Sequence, residues 1–281
     1  MIQNENVRML LKNVMNDATL TLAKGDALPK LPLDNIKYYS NSRVFRTTTI
    51  DEVVIEGKFK GFQSINSLVI NRHNFSAIAK IHIEIFSGHQ QNGQPLLDTG
   101  LMNVYKLKTL GELNFGVDNL IEAVEDNWDL KYFTLWFDLM TAWSFRITIQ
   151  DPHNVDGYIE FARIYVSHAF VPKVNFVMGD ELAPDTDEKQ KRIGKSLHTT
   201  EGEVFRRQAF QLSRLAESDR AEFFENIYDV KKSKDWFISM YPQQGGLLEH
   251  HYSMACKFKV LPKQKHHTEN LWKSPVQVEE C

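Results

Sequence analysis

The chain has 281 residues, enough for two domains without demanding them. Hydrophobic residues make up 42% and charged residues 25%, an ordinary balance for a folded protein with a substantial core. A net charge of −3 gives no bulk electrostatic case for nucleic acid or for an anionic membrane surface.

Two cysteines, Cys256 and Cys281, argue against a disulfide framework and fit a reducing compartment. The N-terminus lacks the basic start, apolar run and small-residue cleavage site of a secretory signal. No apolar run approaches the ~18 residues of a membrane span.

In chain order, residues 1–40 read as an extended lead-in, since Pro29 and Pro32 push their predecessors out of the helical region. Strands are expected at Arg43–Ile50, Glu52–Phe59, Ile65–Asn71 and Ala77–Phe86, where apolar and polar residues alternate. A loop follows at Ser87–Pro95, and Leu96–Leu107 is ambiguous. Asp118–Glu125 reads as a short helix or turn. Tyr132–Leu139 is a strand, and Phe145–Gln150 is another, placing Phe145, Ile147 and Ile149 on one face. Asp151-Pro152 and Asp156-Gly157 bound a polar turn, after which Ile159, Phe161, Ile164 and Val166 resume the apolar rhythm. Strands at intervals of roughly ten residues with few helices predict a β-sandwich.

Beyond Phe170 the pattern changes. Gly179–Arg192 is charged and aperiodic, as expected of a solvated loop or arm. Residues 193–210 carry a hairpin signal turning near Glu201-Gly202. A helix is expected over Ser218–Val230, capped by Ser218, with Phe223, Phe224, Ile227 and Tyr228 on one core-facing side. Trp236–Tyr241, Met254–Leu261 and Leu271–Val278 read as strands. The fold expected is mainly β: a jelly-roll sandwich over 41–170, then a smaller hairpin-plus-helix domain over 171–281.

Motifs for chemistry are absent. There is no Gly-x-Ser-x-Gly elbow, no P-loop and no Gly-x-Gly-x-x-Gly. His250-His251 and His266-His267 are adjacent pairs, which point to opposite faces of a strand and supply one metal poorly. Asp151, His153, Asn154 and Asp156 contain the oxygens calcium uses, but Asp and Asn also set turns, and that reading is preferred. Neither a metal nor a cofactor is expected.

Three stretches carry a resemblance. They are Val44-Phe45-Arg46-Thr47, Ser67–Phe75 with its apolar strand running into Arg72-His73-Asn74, and Phe145–Pro152 followed by Asp156-Gly157-Tyr158-Ile159-Glu160-Phe161-Ala162-Arg163-Ile164. They resemble the galactose-binding-like, discoidin-type sandwich, with Val155 and Ala162 where proline and glycine are usual. With the β–β–α–β–β pattern that follows, the chain resembles the structural tail proteins of tailed bacteriophages and prophages, of distal-tail or baseplate type. The second half resembles a tail-tube domain.

That resemblance implies a non-enzymatic, ring-forming virion component made in the host cytoplasm. Its partners are copies of itself and other tail or baseplate proteins, with Gly179–Arg192 as an assembly arm. The alternative is a carbohydrate-binding module that recognises a cell-surface glycan. Its candidate residues are Asn71, His73, Asn74, Trp143, Asp151 and Tyr158, with Ser87–Pro95 as a further loop.

Overall fold

A computed structural model describes residues 6–40, 42–89, 91, 93–105, 132–177, 179–243, 246–268 and 271–281. The helix expected at Asp118–Glu125 lies outside the described residues. In chain order the strands are β1 (Arg8–Leu10), β2 (Thr19–Lys24), β3 (Phe45–Arg46), β4 (Val53–Asn71), β5 (Lys80–Phe86), β6 (Leu97–Asp98), β7 (Met102–Asn103), β8 (Tyr132–Gln150), β9 (Glu160–Phe161) and β10 (Arg163–Ser167). They continue with β11 (Glu181–Thr186), β12 (Lys189–Ile193), β13 (Ser196–Thr200), β14 (Val204–Leu215), β15 (Trp236–Ser239), β16 (Ser253–Val260), β17 (Lys265–Thr268) and β18 (Leu271–Glu280). The α-helices are α1 (Glu217–Val230) and α2 (Gly246–His251). No helix among the described residues is long and apolar enough to cross a membrane.

The chain divides into two units, Lys12–Ala169 and a second made of the residues up to Leu11 with Phe170–Cys281. Residues 1–40 therefore do not form the separate extended segment the sequence predicts. Arg8–Leu10 pairs with Leu10↔Phe237 register onto β15 of the second unit. Thr19–Lys24 pairs with β4 of the first, and Met15, Leu33 and Ile36 are buried in the first unit's core. Their partners are distant in sequence, so local proline chemistry says nothing about them.

The first unit is a β-sandwich whose main sheet has the strand order β10-β4-β8-β5-β6, with β2 pairing β4 and β7 pairing β5, and which also holds the two-stranded sheet of β3 and β9. The two 19-residue strands β4 and β8 run antiparallel through both halves. The sequence predicts each as two strands. The apparent breaks are bulges: between Lys58↔Ser144 and Gln63↔Ala142, β4 takes five steps while β8 takes two. Gly61, with φ +87°, adopts the left-handed conformation this bulge needs. Alternating residues Val53, Ile55, Ile81, Ile83, Ile85, Ile147 and Ile149 fill the core from one half, and Leu68, Ile70, Phe133, Ile164 and Val166 fill it from the other. Gly57 is required by close approach: a Cβ there would stand 2.1 Å from the Phe145 ring, which lies across it.

In the second unit one sheet has the order β1-β15-β16-β18-β14-β11, with β17 pairing β18. Helix α1 contributes Phe223, Ile227 and Val230 to a core with Trp236, Ile238, Phe258 and Val276. Phe170 stacks on Phe223 at 5.2 Å. The helix begins after Ala216, which makes no side-chain cap, so Ser218 sits inside it rather than capping it. Phe223 and Ile227 are buried, but Phe224 and Tyr228 are 56% and 71% exposed. The expected four-residue core stripe is wrong in half its members because successive helical residues point ~100° apart.

Gly179–Arg192 is also not a loop. Residues 181–186 pair with β14, and 189–193 pair with 196–200 in a two-stranded ribbon. The ribbon turns at Gly194, with φ +62°, rather than at Glu201-Gly202.

Candidate functional site

Strand β8 sorts the candidate residues into two places. Trp143 lies within it, and Asp151 directly follows it, eight residues away. At ~3.3 Å per residue the two are about 26 Å apart along the chain. The six residues proposed from sequence therefore do not converge on one site.

Around Asp151 the polar groups are used within the protein. Asp151 is fully buried and accepts from the Ser76 backbone N–H at 2.8 Å, from the Ser76 hydroxyl, and from Asn154 Nδ2 at 3.0 Å. Asn154 Nδ2 also donates to the Asn74 carbonyl at 3.0 Å, and Asn154 Oδ1 accepts from Asp156 N. Asn74 spans the loop ends. Its Nδ2 donates to Asp156 Oδ2 at 2.9 Å and to the Tyr158 carbonyl at 3.0 Å, while its Oδ1 accepts from Glu160 N at 2.7 Å. These are the bonds by which Asx side chains fix loops. The Asp151 carboxylate faces N–H and O–H donors, which is the environment of a turn anchor and not of a calcium ligand. Among the described residues, no three His, Cys, Asp or Glu side chains gather as a metal site would require.

Asn71 is buried on β4, with its carbonyl accepting from Ala162 N at 3.0 Å. His73 is 5% exposed and its ring stacks on Phe75 at 4.2 Å, in the core beside Tyr105. Tyr158 is half-buried beneath the Arg46 guanidinium, 4.0 Å above its ring. Arg46 is paired in turn with Glu160. The hydrogen bond to Glu160 raises the arginine's pKa against the opposing effect of burial. Arg46 and Glu160 sit opposite each other on β3 and β9, so this pair clips the two short strands together.

Trp143 is in a different setting. Phe62, on the bulge of β4, meets its ring edge-on at 4.5 Å and remains 60% exposed. His89, from the Ser87–Pro95 loop, approaches the same ring at 5.6 Å. The loop is held to the sheet at three points. Ser144 Oγ donates to the Gly88 carbonyl at 2.7 Å, Gln91 Nε2 donates to the Gly57 carbonyl at 3.1 Å, and Arg146 Nη2 donates to the Gln91 carbonyl at 3.0 Å. Arg146 is fixed by Glu56 and Glu84 at 2.9 and 3.3 Å. Burial disfavours its charge, but those two carboxylates outweigh it and raise its pKa. The outcome is a small, partly exposed aromatic group on an anchored frame.

Phe62 and His89 are absent from the six sequence-derived candidates. The signal for Phe62 was present: Gly61 interrupts the alternation of β4, and glycine inside a strand marks a bulge that re-aims a side chain.

Among the described residues, the histidine pairs join no group that could hold a metal ion. His250 and His251 end helix α2 rather than a strand, and their carbonyls accept from Arg206 Nη1 at 3.1 Å. Burial first, then Arg206 and His251, depress the His250 pKa to about 3. His266 rests against Trp272 at 5.0 Å. The side chain of His267 lies outside the described residues.

No family model and no curated protein matches this chain. Solved structures similar to it include a family 32 carbohydrate-binding module of Clostridium perfringens in complex with GalNAc-β-1,3-galactose, at 10% identity. That likeness covers 56% of this chain and 100% of the module, with a TM-score of 0.36. The family 32 module of C. perfringens NanJ in complex with galactose is 14% identical, covering 57% of this chain and 98% of the module, with a TM-score of 0.36. A chitosan-binding module from a chitosanase/glucanase of Paenibacillus sp. IK-5 is 14% identical, covering 56% and 99%, with a TM-score of 0.35.

Proposed function

We infer that the sandwich unit is a non-catalytic carbohydrate-binding module for a cell-surface glycan, and that Trp143 with Phe62 and His89 forms its contact surface. The observation that supports this is the partly exposed aromatic group on an anchored loop. Rigid aromatic rings offer large contact area at low entropic cost, and the C–H face of a pyranose stacks on them. The Asn74–Asp151–Asn154 cluster supports the sandwich as a loop lock. The test is a glycan array probed with the full chain. Saturable binding to a defined glycan class is expected, and the absence of binding across cell-surface glycans removes the reading.

A second reading rests on the sequence resemblance, and the ribbon of β12 and β13, in which every residue from 189 to 200 is exposed, is the surface it would use for assembly. In this reading the chain is a structural component of a tailed-bacteriophage virion, a ring-forming protein of the tail tip or baseplate. It is made in the host cytoplasm and assembles with its own copies and with other tail proteins. The two readings combine without conflict, with one unit assembling and the other recognising a surface. Immunogold electron microscopy of purified particles tests this one: label at the tail tip is expected, and unlabelled particles contradict it.

A further inference from the structure

The two ends of strand β14 differ in what surrounds their cations. At its start, Arg206 pairs with Glu280 at 2.6 Å, and Arg207 pairs with Glu279 at 2.7 Å and with Asp185. At its end, a bulge between Leu212 and Leu215 sets Ser213 and Arg214 together opposite Lys273 of β18. Lys273 in turn faces Lys265 of β17 directly across the ladder. Like charges directly opposite each other are unfavourable. Three cations thus stand on three adjacent strands, and none is in an ion pair among the described residues.

Arg214 and Lys273 line a cleft with Gln211, Ser213 and the segment 174–177. Its volume is about 420 Å³, within the range of small-ligand sites. No carboxylate lines it. The nearby carboxylates are engaged elsewhere or lie outside it. Asp219 accepts from Lys173 N at 2.9 Å and from Ser218 Oγ at 3.0 Å, and Asp180 accepts from Tyr241 at 3.4 Å. Glu217, at the start of α1, is exposed and is not part of the lining.

Asn175 adds a donor. Its Oδ1 accepts from Val7 N at 3.1 Å and from Phe176 N at 3.0 Å. Those bonds fix the amide and leave Nδ2 without a partner among the described residues. The wall carrying it is tied down where Val177 N donates to the Gln211 carbonyl at 3.0 Å. Val174 and Val177, each 44% exposed, give the same cleft an apolar side.

Arg and Lys offer donors only, so the complementary group is an acceptor carrying negative charge. A phosphate monoester is close to dianionic near neutral pH and has three acceptor oxygens. It matches two lining cations and an amide donor more fully than a carboxylate does, and the valines suit the carbon body attached to it. We propose that this cleft binds a small organic phosphate ester, with Arg214 and Lys273 on the phosphate, Asn175 Nδ2 donating to it, and the organic part against Val174 and Val177. Every residue named belongs to the second unit, so the site stands or falls apart from glycan binding by the sandwich.

Isothermal titration of the full chain with phenyl phosphate, inorganic phosphate and benzoate tests it. Saturable binding of phenyl phosphate, tighter than that of the other two, is expected. Arg214→Ala with Lys273→Ala should weaken it at least about tenfold. Asn175→Asp keeps the acceptor for Val7 and Phe176 but replaces the donor with a charged oxygen, and should weaken it by a similar factor with the urea midpoint unchanged. Lys191→Ala with Arg192→Ala, on the exposed ribbon, should leave it intact. The proposal is overturned by absence of phenyl phosphate binding, by inorganic phosphate or benzoate binding as tightly, or by the ribbon variant losing as much affinity as the cleft variant.

Discussion

The two ends of strand β8 present different kinds of polar and aromatic chemistry. At the Asp151 end, carboxylate, amides and hydroxyl are packed together, and they bond to one another until little is left for a ligand. At the Trp143 end fewer polar groups are present, but the hydrogen bonds fix a frame and leave the rings at the surface. The residue types best known for binding are thus the ones holding this sandwich shut. The difference lies in what each side chain already touches, which a sequence does not display.

That contrast predicts opposite responses to substitution. Asp151→Ala strips acceptors from Ser76 and Asn154 in a buried site and should cost about 3 kcal/mol or more, read as a lower urea midpoint. Gly57→Ala drives a methyl into the Phe145 ring and should cost about 2 kcal/mol by the same measurement, because strand backbone and core ring both resist displacement. Tyr158→Ala loses the ring beneath Arg46 and should cost about 1 kcal/mol without changing glycan binding. Phe62→Ala should change stability by no more than about 0.5 kcal/mol, since the ring is mostly exposed, yet weaken glycan binding at least about tenfold. A stability loss at Phe62 comparable to that at Asp151 would collapse the distinction between the two ends.

Much of the sandwich was legible in the sequence. Val53-Val54-Ile55 and Phe145-Arg146-Ile147-Thr148-Ile149 alternate as half-buried strands should, and they pair as neighbours. The continuity of β4 and β8 was not legible, because Lys60-Gly61 and the stretch around Met140 break the alternation in the way a loop would. A bulge and a turn share that signature, and only the pairing partner separates them. Arg8–Leu10 was opaque for a simpler reason: its partner Trp236–Ser239 lies more than two hundred residues away. In the ribbon, charge and missing periodicity signalled exposure correctly, but a strand exposed on both faces has no alternation to show. Trp143 and the Ser87–Pro95 loop were each recognised as candidates. Their juxtaposition with Phe62 depends on the bulge and became visible only in three dimensions.

The most direct measurement of the central claim is a glycan array run in parallel on the wild-type chain, Phe62→Ala and Tyr158→Ala. Wild type and Tyr158→Ala should bind the same glycans equally while Phe62→Ala loses them. Retention by Phe62→Ala with loss by Tyr158→Ala would place recognition in the polar loops and contradict the account.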